Sequence, residues 1–279
     1  MNGHGTLQLC VPNYRNVIPT QTHVSISQLC AYLGSIGQPF TQHYEPSSVA
    51  DMARQNLVQY ALDDESVTDV LFLDDDMIFT PQHFADLLGE FKEHDLDYLA
   101  ALAFRNSTPT CPCVFGKVPG KPRWGEDSWW HILSDYPGLP RRRFNPKTQD
   151  YEVYLPNGPH GRFKCEATGM GMVLMSRRML DAMRRDADGN IVPGYRHFKC
   201  KKANYPNDDV AFCLNAIDKG FNIWCDSRVS IGHLSKDTPI IGEREYIGQG
   251  NMIEECATPI PMRLRVQGKD TTETMEAVV

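Results

Sequence analysis

Asp69-Val-Leu-Phe-Leu-Asp-Asp-Asp-Met-Ile-Phe-Thr-Pro-Gln-His-Phe84 is the stretch that decides the fold class. Val70 to Leu73 is a short unbroken apolar run, the pattern of a strand buried on both faces. Three carboxylates, Asp74, Asp75 and Asp76, close it. Thr80 and Pro81 then open a helix, with Thr as N-cap and Pro at the first helical position. In an open α/β sheet, ligands gather outside the carboxyl ends of the strands. Adjacent carboxylates repel one another, and a cation is the simplest way to offset them. Oxygen ligands with no Cys or His beside them favour Mg2+ or Mn2+ over Zn2+, and such an ion completes its shell with water and phosphate oxygens. The stretch therefore predicts a metal-bridged phosphate ligand. A solvated acidic turn is the plainer alternative.

Upstream, Thr6 to Val11 alternates as a strand and stops at Pro12-Asn13. Ile26, Leu29, Cys30 and Leu33 recur at helical spacing, so Thr20 to Leu33 reads as an amphipathic helix ending at Gly34. Pro39 to Glu45 reads as a second strand. Ser47 or Ser48 can cap a helix to about Leu62 that carries Arg54 and Asn56. Downstream, Phe84, Leu87, Leu88 and Phe91 line the buried face of the helix after the acidic strand, and Leu96 to Phe104 is another buried strand. Strands and helices alternate over the first hundred residues, which predicts an α/β fold with a parallel sheet.

The alternation breaks from Arg105 to about Lys164, where Pro, Gly and Trp are frequent. This segment reads as an irregular insertion with short strands such as Tyr151 to Leu155. Long irregular segments within compact domains tend to carry function. Trp124, Trp129 and Trp130 suit stacking on a sugar or base, or else cover a sheet edge. Regular structure resumes at Ala167-Thr-Gly-Met-Gly-Met-Val-Leu-Met175, followed by a short helix from Ser176 to about Arg185. Asp186 to Gly194 is a turn-rich loop. Asn207 or Asp208 caps a helix from Val210 to Lys219, and Phe221 to Cys225 and Arg228 to Gly232 read as two short strands, with His233 at the end of the second. One domain over residues 1–248 is expected, divided at 6–104, 105–164 and 165–248, with 249–279 as an extension or tail.

The chain of 279 residues is 41% hydrophobic and 23% charged, with a net charge of −7, which argues against a uniformly basic nucleic-acid binder. The charge is uneven: residues 140–202 hold 14 Lys and Arg against six Asp and Glu, a net of +8. That asymmetry suggests an anionic partner, although solvated helix faces would look the same. No secretory pattern opens the chain, and no apolar run approaches the roughly 20 residues that span a bilayer, so a soluble, cytoplasmic protein with no membrane partner is the expectation. Nine cysteines, several within apparent core elements, read as reduced thiols. Cys111-Pro-Cys113 has no second clustered pair to complete a zinc site.

Taken together, four blocks in this order resemble nucleotide-sugar glycosyltransferases of the GT-A type, the inverting-like branch. Val11-Pro-Asn-Tyr14 looks like the first-strand block whose loop holds the nucleoside. Ala53-Arg-Gln-Asn56 is similar to the A-R-N block, and Phe72-Leu-Asp-Asp-Asp-Met77 resembles the D-x-D motif. Asn207-Asp-Asp-Val-Ala-Phe-Cys213 looks like the E-D block, with Asp208 where the family usually has Glu. The resemblance covers residues 6 to 235 and implies a GT-A fold with a mixed, mainly parallel sheet. It implies a UDP-sugar donor held by Pro12, Asn13, Tyr14, Arg54, Asn56, Asp74 and Asp75. It implies Mn2+ or Mg2+ on Asp76, Asp74 and His233, although the triplet leaves the register open by one residue. Asp209, with Asp208 beside it, would be the general base. Gly169 and Gly171 would let the acceptor approach, with Trp124, Trp129 and Trp130 nearby.

The chain lacks the Q-x-x-R-W block of processive synthases. A basic, aromatic acceptor half and a general likeness to compact bacteriophage enzymes suggest one anionic acceptor: a hydroxymethylated pyrimidine in DNA, flipped from the helix and held by aromatic side chains. A glycan, protein or small-molecule acceptor is the alternative. So are a nucleotidyltransferase, disfavoured because Pro12-Asn-Tyr-Arg-Asn16 is not a glycine-rich phosphate loop, and a non-catalytic binding module.

Overall fold

The structure is a computed structural model that describes residues 5–13, 16–47, 49–105, 112–117, 130–132, 141–145, 150–154, 161–199, 207–234, 242 and 259–260. Of residues 117, 130–132, 141–145, 150–154 and 259–260 it describes the backbone alone. The chain opens with β1 (Thr6–Asn13), α1 (Thr20–Ser35), β2 (Phe40–Pro46), α2 (Ala50–Asp63) and β3 (Val67–Leu73). A turn leads into β4 (Met77–Ile78), then α3 (Pro81–Glu93) and β5 (Tyr98–Leu102). Short strands follow: β6 (Val114–Lys117), β7 (Trp130–Ile132), β8 (Arg141–Asn145), β9 (Asp150–Tyr154), β10 (Arg162–Cys165) and β11 (Ala167–Thr168). The chain then runs through β12 (Met172–Ser176), α4 (Arg177–Met183), α5 (Asp208–Asp218), β13 (Ile223–Ser230), β14 (Gly232–His233) and β15 (Pro259–Ile260).

The central sheet has seven strands in the order β10-β13-β5-β12-β3-β1-β2. β1 pairs in parallel with β2 and β3, and β13 with β5, whereas β12 runs against both β3 and β5, and β10 against β13. The fold is therefore α/β with a mixed sheet in which most strands run one way. The expectation of a parallel sheet over the first hundred residues holds for β1, β2 and β3. β12 enters between β3 and β5 in the opposite sense, and this brings its first residues, not its last, to the carboxyl end of β3: Met172 faces Leu73.

Side chains alternate across the strands and feed two separate cores. On β3, Val70 and Phe72 join the core under α2, α4 and α5, whereas Leu71 and Leu73 join the core under α1 and α3. On β5, Tyr98, Ala100 and Leu102 go to the first core and Leu99 and Ala101 to the second. This double burial is why β3 reads as an unbroken apolar run. Helix α3 begins as its sequence predicts: Thr80 is the N-cap, Pro81 follows, and His83 completes a reciprocal capping box. Helix α2 begins at Ala50 without a side-chain cap; the Ser47 hydroxyl instead accepts from the Val49 N–H.

The two short strands expected between Phe221 and Gly232 are one strand, β13, with a register shift between Asp226 and Ser230. Asp226 is 1% exposed and accepts from the N–H and guanidinium of Arg228, so a polar interruption is tolerated inside the sheet. Pro259–Ile260, within the segment that reads as a tail, pairs with β7 in a four-stranded sheet of order β11-β6-β7-β15. Among the described residues no helix is long and apolar enough to cross a membrane.

Candidate active site

The carboxyl ends of β1, β3, β5 and β13 open onto one edge of the sheet, and the candidate residues are delivered there. Asp74 to Met77 form the turn from β3 to β4, with the Met77 N–H donating to the Asp74 carbonyl at 3.4 Å. The Asp74 N–H donates to the Gly171 carbonyl at 3.1 Å, which ties this turn to the Gly169–Gly171 turn ahead of β12. β14 pairs with β4 so that His233 lies opposite Met77, and the Leu234 N–H donates to the Asp76 carbonyl at 2.8 Å.

His233 and Asp76 form one pair. His233 Nε2 stands 3.0 Å from Asp76 Oδ2, and Nδ1 stands 2.9 Å from the Phe104 carbonyl. The carbonyl and an ionised carboxylate can both only accept, so Nδ1 donates to Phe104 and Nε2 to Asp76, an imidazolium–carboxylate pair. Burial lowers the His233 pKa, but the hydrogen bond and charge of Asp76 and the Phe104 carbonyl outweigh it, and the net shift is upward. The Asp76 side chain is 39% exposed and looks outward, open to a ligand.

Arg54 organises the second group. Its side chain is 5% exposed, buried in α2 beneath the site. Nη1 donates to Asp208 Oδ2 at 2.5 Å and to Asp209 Oδ1 at 2.6 Å, and Nη2 donates to Asp74 Oδ1 at 2.8 Å. The cap of α5 is Asn207, whose side chain accepts from the Val210 N–H at 2.9 Å. Asp208 and Asp209 are thus relieved of capping and turn towards Arg54. Asp209 also accepts from the Met170 backbone N–H. Its pKa is pushed up to about 7, first by burial, with the charges of Asp208 and Asp74 adding to the rise. Arg54 and the Met170 hydrogen bond pull the other way, but one guanidinium cannot neutralise three carboxylates.

Gly169 closes the floor beside Asp209. A Cβ there would stand 3.1 Å from Cys113 Cβ and 3.9 Å from Asp209 Oδ2. A Cβ on Gly171 would stand 2.9 Å from Met77 Sδ. Both positions leave little room for a side chain, against Cys113 and against Met77.

The other sequence candidates are placed differently. Pro12 and Asn13 end β1 at this edge, and Asn13 Oδ1 accepts from the Val17 N–H at 3.2 Å. Asn56 faces β2 and donates to Glu45 Oε1 at 2.7 Å, away from the aspartates around Arg54. Asp75 lies in the turn between β3 and β4. Tyr14, Trp124 and Trp129 lie outside the described residues, as does the Trp130 side chain. Met170 and the Phe104 carbonyl were not singled out by sequence, and both contribute backbone groups, which no side-chain pattern reports.

Asp76 and His233 suit a divalent ion. The two side chains hydrogen-bond to each other directly, and an ion that displaced the shared proton could take both as ligands. A metal-bound histidine usually donates its other N–H to a carbonyl or carboxylate, as His233 does to Phe104. Imidazole with carboxylate suits Mn2+ better than Mg2+. Asp74 is turned towards Arg54 instead. Among the described residues, the one grouping of three ligand-type side chains with atoms within 4.8 Å of each other is Glu90, Glu93 and His94. Glu90 is already paired with Arg228 and Arg162, and the group lies on α3 away from this edge. A small concavity of about 30 Å³, lined by Gly5, Leu7, Gln38, Asp69, Leu88 and Lys92, lies at the start of the strands and has room for about one water.

Six arginines of the basic stretch are engaged within the chain among the described residues. Arg178 pairs with Asp95 and Asp97, Arg184 and Arg185 with Asp181, Arg196 with Asp51 and Arg162 with Glu90. Arg177 donates to the Ala61 and Leu62 carbonyls.

No protein-family model matches the chain, and no curated protein matches it. Among solved structures it is similar to A197 from STIV, at 11% identity and a TM-score of 0.45, over 96% of this chain and 100% of that one. It is also similar to GalNAc-T7, solved with UDP, GalNAc and Mn2+, at 9% identity and a TM-score of 0.42. That match covers 81% of this chain and 43% of GalNAc-T7. At such identities and scores these likenesses carry no assignment of function.

Proposed function

We propose that the chain is a metal-dependent glycosyltransferase that moves a sugar from a nucleotide-diphosphate sugar, with a UDP-sugar favoured, to an acceptor hydroxyl. The observation that carries this reading is the convergence at one sheet edge of Asp76 with His233, and of Asp74 with Asp208 and Asp209, from segments up to 157 residues apart. Asp76 and His233 would hold Mn2+ or Mg2+. Bound there, the ion offsets charge developing on the departing diphosphate.

Asp74 faces the donor from the end of β3. An acceptor hydroxyl resting on Gly169 lies beside Asp209. Its oxygen attacks the anomeric carbon, the bond from that carbon to the diphosphate breaks, and the proton passes to Asp209. A raised pKa suits that task, because a base works best when its pKa lies near the working pH. Helix position alone would have lowered it.

For the acceptor, a hydroxyl on a glycan or small molecule is the first arm of the test. DNA bearing a hydroxymethylated pyrimidine is the second arm of the test.

The test is thermal shift and release of UDP or GDP across a panel of UDP- and GDP-sugars, with and without Mn2+, and with a simple glycan or DNA bearing a hydroxymethylated pyrimidine as acceptor. A donor- and Mn2+-dependent shift, lost in Asp76→Ala and His233→Ala, is expected. Absence of any shift or turnover with every donor sinks the reading, and incorporation of NTP with pyrophosphate release would point to a nucleotidyltransferase instead.

A further inference from the structure

Arg54 sits on the face of α2 that also carries Ala53, Leu57, Val58 and Ala61, all buried. A guanidinium there is far from bulk water and must be paired. It is paired three times: with Asp208 and Asp209 through Nη1 and with Asp74 through Nη2. These partners come from the donor-facing end of β3 and from the start of α5, 20 to 155 residues away in sequence.

Resting on the glycosyl-transfer reading above, we propose that Arg54 is a positioning residue that locks the donor-facing Asp74 and the Asp208–Asp209 pair into one unit, and does not bind the donor nucleotide. Three carboxylates lie around one planar cation, so its fork sets their mutual spacing. Without it they repel, and α5 and the β3 turn part. The distance from the donor end of the site to the base is therefore set beneath the substrates, from α2. Lysine cannot replace this, because an ammonium is a point charge that lacks the planar fork.

The test compares Arg54→Lys with the wild-type chain using a UDP-sugar and Mn2+. The expected result is a retained donor-induced thermal shift, a donor KM within about threefold, and a kcat lowered about 100-fold or more, the scale of a 1 Å misplacement. A donor KM raised tenfold or more at unchanged kcat would place Arg54 on the donor and overturn the proposal, as would full activity. A second arm needs no turnover. Thermal unfolding of Arg54→Gln, Asp208→Asn and the double variant should give a loss for the pair smaller than the sum of the single losses. Additive losses overturn the proposal. If wild-type chain neither shifts with donor nor turns over, glycosyl transfer fails as the function, and the unfolding cycle still decides whether Arg54 holds the carboxylates.

Discussion

Lowering the pH from 8 to 5 is expected to extinguish transfer through Asp209. Its carboxyl has a pKa pushed up to about 7, and only the ionised form can take the acceptor proton. With that value, about nine-tenths of the groups are ionised at pH 8, half at pH 7 and about one in a hundred at pH 5, so the rate should fall about 90-fold across the range. Initial rates at saturating donor and Mn2+ would show an acid limb near neutrality. Asp209→Asn should lower kcat by about 10²–10⁴-fold. Stability must move the other way. The folded form keeps a proton that the unfolded chain, with an ordinary value of 3.8, has released. Between about pH 4 and 7 the folded state therefore binds more protons, and stability falls as pH rises, by up to a few kcal/mol for this group alone. Denaturant melts at pH 5 and 7.5 should show that slope, flattened in Asp209→Asn. Rates that are flat from pH 8 to 5, or an undiminished kcat in Asp209→Asn, would refute the assignment of the base.

Two further outcomes concern the frame around the site. Gly171→Ala places a Cβ 2.9 Å from Met77 Sδ and 3.3 Å from Ala103 Cβ, in a spot where Met77 is itself buried, so a loss of about 1–3 kcal/mol is expected in urea melts. Phe72→Ala empties the core between β3 and the helices, where the ring meets Phe198 edge-on at 5.9 Å, and should cost about 3–5 kcal/mol by the same measurement.

How much of this was legible in the sequence depends on the range over which each feature is encoded. Val70 to Leu73, the aspartates and the Thr80-Pro81 cap are local, and the structure has the strand, turn and helix where their spacing puts them. Strand direction is not local. Met172 to Met175 is apolar throughout, and nothing in such a run says that it enters the sheet against β3 and so brings Gly171 to the end of that strand. Asp226-Ser-Arg228 reads as a break because two charges interrupt an apolar pattern, yet each charge answers the other and β13 continues. Arg54 is the instructive case. Its resemblance to the A-R-N block pointed to the nucleotide, but the spacing already held a different message. Arg54 stands three residues before Leu57 and four before Val58, and so on the face that α2 buries. A buried guanidinium demands carboxylates, and the acids grouped at a strand's end and at a helix start were Asp74 to Asp76 and Asp208–Asp209. Charge balance in the core would therefore have linked two motifs about 130 residues apart that periodicity treats as unrelated, whereas burial, with Asp208 and Asp74 beside it, is why Asp209 holds its proton more tightly than an ordinary aspartate.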